Sequence, residues 1–260
     1  MQSFEWVDAT SVEHAASLLA EAQMGAQVVA RSGGLDLMDL MKEGIIAPTR
    51  VVNLKSIPRF DGIGYDDKDG LQIDALVSLA RIADDQNIQG HYPAFAAAVA
   101  RAGSPQVRNA STIAGNLLQR SRCWYFRNRL YHDLGGDKPC YAREGENQYH
   151  AIFDNARTAM VQASTPATAL VAYKASVDLV GPKNRQRNLL LDDFFVPPEM
   201  HTERDTVIAR DELLVRLRVP TPKPGTRAAY MKQTERESYD WPLCDVAVVL
   251  TMDDQTVREA

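Results

Sequence analysis

The strongest constraint on how this chain can fold is the stretch 103–165. It holds few apolar periods, many arginines and two cysteines, between flanks that alternate helix and strand patterns. Structureless stretches that long are uncommon inside compact domains, so it reads as a functional insertion or binding loop. Thr10-Ser11-Val12-Glu13 before it fits a capping box. Val12, Ala15, Ala16 and Leu19 then recur at helical spacing. Ala26 to Ala30 reads as a short buried strand, Gly33-Gly34 as a turn, and Leu37, Leu40 and Met41 as a helix stopped near Gly44. Strand patterns follow at Arg50–Leu54 and Leu71–Leu76, then an alanine-rich helix over Pro93–Ala102 closed by Gly103. Beyond the long stretch come a helix at Pro166–Tyr173 and strands at Ser176–Val180, Leu213–Val219, Ala228–Lys232 and Val246–Met252. Asp253-Asp254-Gln255 turns the chain into a returning strand, leaving an unpaired edge that a truncation or a partner would account for. The whole is a mixture of α and β.

Charge narrows the partners. With 29 basic and 34 acidic residues the net charge is −5, against a nucleic-acid partner or a polybasic membrane anchor. No run approaches the ~20 apolar residues of a membrane helix. Three cysteines are too few for a disulfide framework, so a reducing compartment, the cytoplasm, is the simpler reading. The start lacks a signal-peptide pattern, leaving co-export with a partner to the periplasm as the alternative.

Three segments carry candidate chemistry. Gly33-Gly34, between a strand and a helix, can turn backbone N–H groups toward a phosphate. The plainer alternative is a tight turn capped by Asp36, and Asp36 and Asp39 would repel a bare phosphate. Gly103 to Leu117 is dense in small polar residues, and Ser111, Thr112 and Asn116 can bond phosphate or ribityl oxygens or satisfy their own loop. Arg120 to Arg129 interleaves arginine with Trp124, Tyr125 and Phe126, a protein-interface composition in an acidic chain. The histidines His91, His132, His150 and His201 have no metal-like spacing. Cys244, beside a strand, reads as a small buried hydrophobe.

Together these segments resemble the flavin-binding (medium) subunit of the molybdenum hydroxylases, which include xanthine dehydrogenase and carbon monoxide dehydrogenase. The likeness is strongest to bacterial periplasmic-type aldehyde oxidoreductases. It rests on Arg31-Ser32-Gly33-Gly34-Leu35-Asp36-Leu37, on Ser104-Pro105-Gln106-Val107-Arg108-Asn109, and on Thr112-Ile113-Ala114-Gly115-Asn116-Leu117. Arg122-Cys123-Trp124-Tyr125-Phe126-Arg127, Gly145 to Ile152 and Arg236 to Pro242 extend it over nearly the whole chain. The resemblance implies an α+β fold: a two-lobed FAD-binding domain of the vanillyl-alcohol oxidase (PCMH) class, then a smaller, incomplete α+β C-terminal domain. The implied domains are 1–188, with lobes 1–55 and 56–188 and a long loop 119–158, and a truncated 189–260.

It also implies an FAD site formed by Arg31, Ser32, Gly33, Gly34, Leu35, Asp36, Ser104, Arg108, Ser111, Thr112, Gly115, Asn116 and Thr165, with Lys232 near the flavin ring. With no basic pocket evident, oriented N–H dipoles at the two bends are expected to hold the diphosphate. Leu35 stands where the family has threonine, Ala114 where it has glycine and Thr165 where it has aspartate. The implied role is an oxidoreductase flavoprotein subunit of a heterotrimer. It passes electrons from iron–sulfur clusters to an external acceptor, with no catalytic acid or base of its own. Its partners would be a large molybdopterin-binding subunit and a small 2Fe–2S subunit. The alternative is a non-catalytic scaffold whose flavin site has degenerated. Members of the subgroup carry a 4Fe–4S cluster, which needs four thiolates. Here the loop offers Cys123 and Cys140, with His132 a candidate third ligand and no fourth, so the two cysteines read as relict ligands and no cluster is expected.

Overall fold

A computed structural model of the protein describes residues 1–21, 27–128, 140–153, 157–197 and 205–260. The N-terminal strands form a three-stranded parallel sheet. In it β3 (Arg50–Asn53) lies between β1 (Glu5–Asp8) and β2 (Val28–Arg31). Helix α1 (Val12–Ala20) covers it, burying Ala15, Ala16, Leu18 and Leu19. Its cap sits one residue later than the capping box suggested. Ser11 takes the His14 amide, and His14 Nδ1 accepts the Thr10 amide, replacing the expected Glu13. Ala26 lies outside the described residues, and β2 is half-buried rather than buried. Helix α2 (Leu35–Lys42) follows directly from the paired glycines.

Next come β4 (Ile63–Asp66), β5 (Gly70–Asp74), and the helices α3 (Leu79–Asp84), α4 (Gln86–His91) and α5 (Pro93–Ala100). The 103–165 stretch is more structured than its sequence suggests. It contains α6 (Pro105–Ala110), α7 (Ile113–Leu117) and α8 (Trp124–Arg127) before α9 (Thr165–Ala172). Each is only four to six residues long, too short to show a 3.6-residue period. Then come β6 (Ser176–Gly181), β7 (Arg185–Leu190), α10 (Leu191–Phe194) and β8 (Leu213–Val219). A five-stranded sheet runs β4-β5-β8-β6-β7, all antiparallel. Its inner face buries Leu71, Ile73, Val177, Leu179, Leu217 and Val219 completely. Fully burying such side chains contributes about 1.5–3 kcal/mol each.

The chain ends in the antiparallel sheet β9 (Thr226–Gln233), β10 (Cys244–Asp253) and β11 (Thr256–Glu259), with β10 central. One face, with Ala228, Tyr230, Ala247 and Val249, packs onto the main core beside α5 and α9. Met231, Val246 and Val248 alternate with these and are exposed. Cys244 begins β10 on that exposed face and is not a buried hydrophobe. Among the described residues no helix is long and apolar enough to cross a membrane.

Candidate functional site

Residues next to all three sheets meet at a cleft of about 660 Å³, within the ~300–1,000 Å³ usual for small-molecule sites. Its lining joins segments far apart in sequence: Arg31–Leu37, Ser111 and Thr112 with Ala114–Asn116, Thr165, and Lys232 with Tyr239–Trp241.

The Gly33-Gly34 turn is built for close approach. Gly34 has φ +82°, a left-handed conformation that glycine adopts without strain. A Cβ on Gly33 would lie 2.5 Å from the Ala110 carbonyl oxygen, so this turn and the Ala110–Thr112 backbone touch. No side chain caps α2. Its first-turn N–H groups have no intrahelical acceptor, and they bring the positive end of the helix dipole to the cleft.

The second segment works differently from the expectation. The α7 amides are already bonded: Ile113 N–H to Val77 O, Ala114 N–H to Ala75 O, Gly115 N–H to Thr112 Oγ1 and Asn116 N–H to Thr112 O. What it turns to the cleft is side chains. Thr112 Oγ1 donates to Ser32 Oγ at 2.9 Å, tying the two segments together. Asn116 Oδ1 accepts from Ser164 Oγ at 2.7 Å, beside the buried Thr165. Main-chain donors are therefore available at one bend, and hydroxyl and amide groups at the other.

Asp36 does not oppose an anion here. Its Oδ1 lies 2.7 Å from Arg127 and 3.0 Å from Arg122, and its Oδ2 accepts the Arg120 N–H at 2.9 Å. One carboxylate is thus shared by two guanidiniums and a main-chain N–H. Nor is the cleft without cations, since Arg31, Arg120, Arg122, Lys232 and Arg236 line it beside Asp36, Asp39, Glu212 and Asp240. Arg122 Nε is buried without an acceptor, and its guanidinium lies 4.9 Å over Trp241. The arginine–aromatic segment is therefore an internal clamp between α2 and the β9–β10 hairpin. Sequence reasoning missed Arg122 and Arg120 as cleft residues; their partner Asp36 lies over 80 residues away in the chain.

Of the other expected site residues, Arg31, Ser32, Leu35, Ser111, Gly115 and Thr165 line the cleft. Leu35 sits exposed at its rim, and the Ala114 methyl is accommodated in a buried position. Ser104 and Arg108 are not among the lining residues. Ser104 caps α6 through the Val107 N–H, and Arg108 donates to the Ala102 and Gly103 carbonyls. Lys232 is buried, donating to Arg101 O at 3.1 Å and Asp240 O at 2.7 Å. Burial holds its ammonium below the usual lysine range, against the pull of Asp245 and Asp240.

Cys123 and Cys140 are buried free thiols. Cys123 Sγ faces His150 Nε2 at 3.1 Å, and Cys140 Sγ accepts the Ala159 N–H at 3.4 Å. Burial pushes the Cys123 thiol up and the His150 imidazole down, favouring the neutral form of each. His132 and His201 lie outside the described residues. The sequence has three cysteines, of which Cys244 is exposed on β10, so the thiols present do not make the set that a four-thiolate cluster needs.

Residues 2–222 match the family described as the FAD binding domain in molybdopterin dehydrogenase. The chain belongs to this family. It is 33% identical over 241 residues to the aldehyde oxidoreductase FAD-binding subunit PaoB of Escherichia coli (strain K12), covering 92% of this chain and 74% of that one. It is 26% identical to the carbon monoxide dehydrogenase medium chain of Hydrogenophaga pseudoflava, covering 98% and 71%. A solved structure of the Hydrogenophaga enzyme lacking its Mo-pyranopterin moiety superposes with a TM-score of 0.74 at 23% identity, over 99% of this chain and 72% of that one. That likeness gives the fold, the α+β architecture expected from the motifs. The cleft fits the family's FAD: an uncapped helix N-terminus, a glycine turn too close to backbone for any Cβ, and the arginine side chains Arg31, Arg120 and Arg122 in the lining suit a diphosphate.

Proposed function

We propose that the chain is the FAD-binding electron-transfer subunit of a heteromeric molybdenum-containing hydroxylase acting on an aldehyde or N-heterocycle. The observation that carries this is the joining of Gly33-Gly34 to Thr112 across one cleft, through the Thr112–Ser32 hydrogen bond and the Gly33–Ala110 contact. The first-turn amides of α2 and the Arg122 side would hold the diphosphate. Ser32, Ser111, Thr112 and Asn116 would meet hydroxyls, and Thr165 and Lys232 would line the rest. Bound FAD supplies the electron-carrying chemistry, while these residues hold and orient it. The names of the relatives, an FAD-binding subunit and a medium chain, support partners that carry the remaining centres: a large molybdopterin-binding subunit and a small 2Fe–2S subunit.

The division into an FAD-binding unit and a smaller C-terminal unit is proposed on the same grounds, with β8 assigned to the first, whose sheet it joins. Three free cysteines support a cytoplasmic setting, with periplasmic co-export as the alternative. Titrating FAD into the purified chain tests the function. Saturable quenching of flavin fluorescence at one FAD per chain supports it, and free FAD with unquenched emission at micromolar chain contradicts it.

A further inference from the structure

One oxygen of Asp36 serves two arginines, and it holds them differently. Arg127 Nη2 donates a hydrogen bond to Asp36 Oδ1 at 2.7 Å. The same Nη2 reaches Arg120 O at 3.0 Å, and Arg127 Nε reaches Ser121 O at 2.9 Å. Arg127 is thus pinned by its own segment, and it is not among the residues lining the cleft. Arg122 Nη2 makes an ion pair with the same Asp36 oxygen at 3.0 Å, while its hydrogen bond goes to the neutral Gln119 Oε1 at 3.0 Å. Arg122 does line the cleft, and its side chain is 25% exposed against 12% for Arg127.

Arg122 is therefore the less firmly held of the two. Its Nε is buried without an acceptor, a condition that Arg127 Nη1 shares away from the lining. Burial holds its guanidinium below the usual arginine range; Asp36, Asp39 and Glu43 favour its charge and Arg127 opposes it. The guanidinium lies 4.9 Å over the Trp241 ring. Stacking uses the flat face and leaves the in-plane N–H groups to donate, which is how arginine meets phosphate oxygens. The ion pair that keeps Asp36 from repelling an anion at α2 also occupies an arginine of the cleft.

We infer that Arg122 exchanges Asp36 for the FAD diphosphate on binding, with Asp36 as an internal placeholder for that anion and Arg127 keeping Asp36 in its place. The inference rests on the FAD reading above and deepens it. Asp36 competes with the cofactor for Arg122 and is not its ligand. Such competition lowers the apparent affinity by the fraction of chains in which Arg122 is free, so removing the carboxylate tightens binding even where it weakens the fold.

The test is a double-mutant cycle on the full chain. FAD dissociation constants are measured by fluorescence quenching for the unaltered chain, Asp36→Asn, Arg122→Gln and the double variant, with melting temperatures alongside. Asp36→Asn should bind FAD about three- to tenfold more tightly. Arg122→Gln should bind it about tenfold or more weakly. The double variant should bind no more tightly than Arg122→Gln. Unchanged or weaker binding in Asp36→Asn overturns the inference, and so does unchanged binding in Arg122→Gln. A gain from Asp36→Asn that persists in full in the double variant also overturns it, since Asp36 would then be a simple repellent. Should Arg122→Gln fail to fold, Arg122→Lys, which keeps the charge without the planar fork, takes its place; there the gain from Asp36→Asn should shrink, and a full gain overturns the inference. Failure of the unaltered chain to bind FAD is a different result and defeats the proposed function itself.

Discussion

Gly33→Ala is the sharpest structural perturbation of the cleft. The new Cβ would stand 2.5 Å from the Ala110 carbonyl oxygen and 3.3 Å from both Ser111 Cα and Thr112 N. Ordinary contact starts at 3.4 Å, so the nearest approach is short by about 0.9 Å. All three neighbours are backbone, so no side chain can swing away and the two site-forming segments must separate. Overpacking of this kind costs about 1–3 kcal/mol. If that falls on ligand binding, at about 1.4 kcal/mol per decade, FAD affinity drops roughly 5- to 150-fold. Fluorescence-quench titration with FAD, beside thermal melts of the apo chain, reads both consequences. Gly64→Ala is the control, because nothing lies within 4 Å of its new Cβ. Unchanged affinity and melting temperature in Gly33→Ala would refute the close approach.

Asp36→Ala leaves Arg122 and Arg127 facing each other without their shared carboxylate. Since these groups keep some solvent contact, the loss should be about 2 kcal/mol, read as a lower urea midpoint at unchanged m-value. For Glu212, burial opposes ionisation but is outweighed by the bidentate Arg187 contact and the Ala209 N–H, holding the carboxyl below its usual range. Its stabilisation is therefore complete above the unfolded value near ~4.3 and is lost as pH falls through the lower folded value. Melts of Glu212→Gln should show a deficit at pH 7 that narrows below about pH 4. For the cysteine loop, an iron assay of the purified chain should find no stoichiometric iron. Cys123→Ser should leave the FAD dissociation constant within about twofold, since the thiol lies outside the cleft lining.

The sequence revealed those parts of the fold where local chemistry and tertiary role coincide. Gly33-Gly34 is legible because a left-handed turn before a helix demands glycine, whereas the caps were not: the capping-box pattern points to Thr10 in place of Ser11, and Ser104 and Thr112 open helices too short to show a period. Strand β7 was not legible. Arg185-Gln186-Arg187-Asn188 are largely solvent-facing on an edge, so no apolar alternation marks them. Helices α3 and α4, six residues each, are likewise too brief to show a period. The site was half-legible for a related reason. Residue types suggested which segments face a ligand, but the neutralising of Asp36 by Arg122 and Arg127 is set by tertiary packing. So is the bonding of the α7 amides to Ala75 and Val77, which changes what that segment can offer.

Amide hydrogen exchange, with and without FAD, tests the central claim most directly. A diphosphate held by the open N-terminus of α2 should slow exchange over Gly33–Leu37 on FAD addition, while Ile113–Asn116, already bonded in the free chain, should change little. FAD binding that leaves Gly33–Leu37 exchange unaltered would contradict the account.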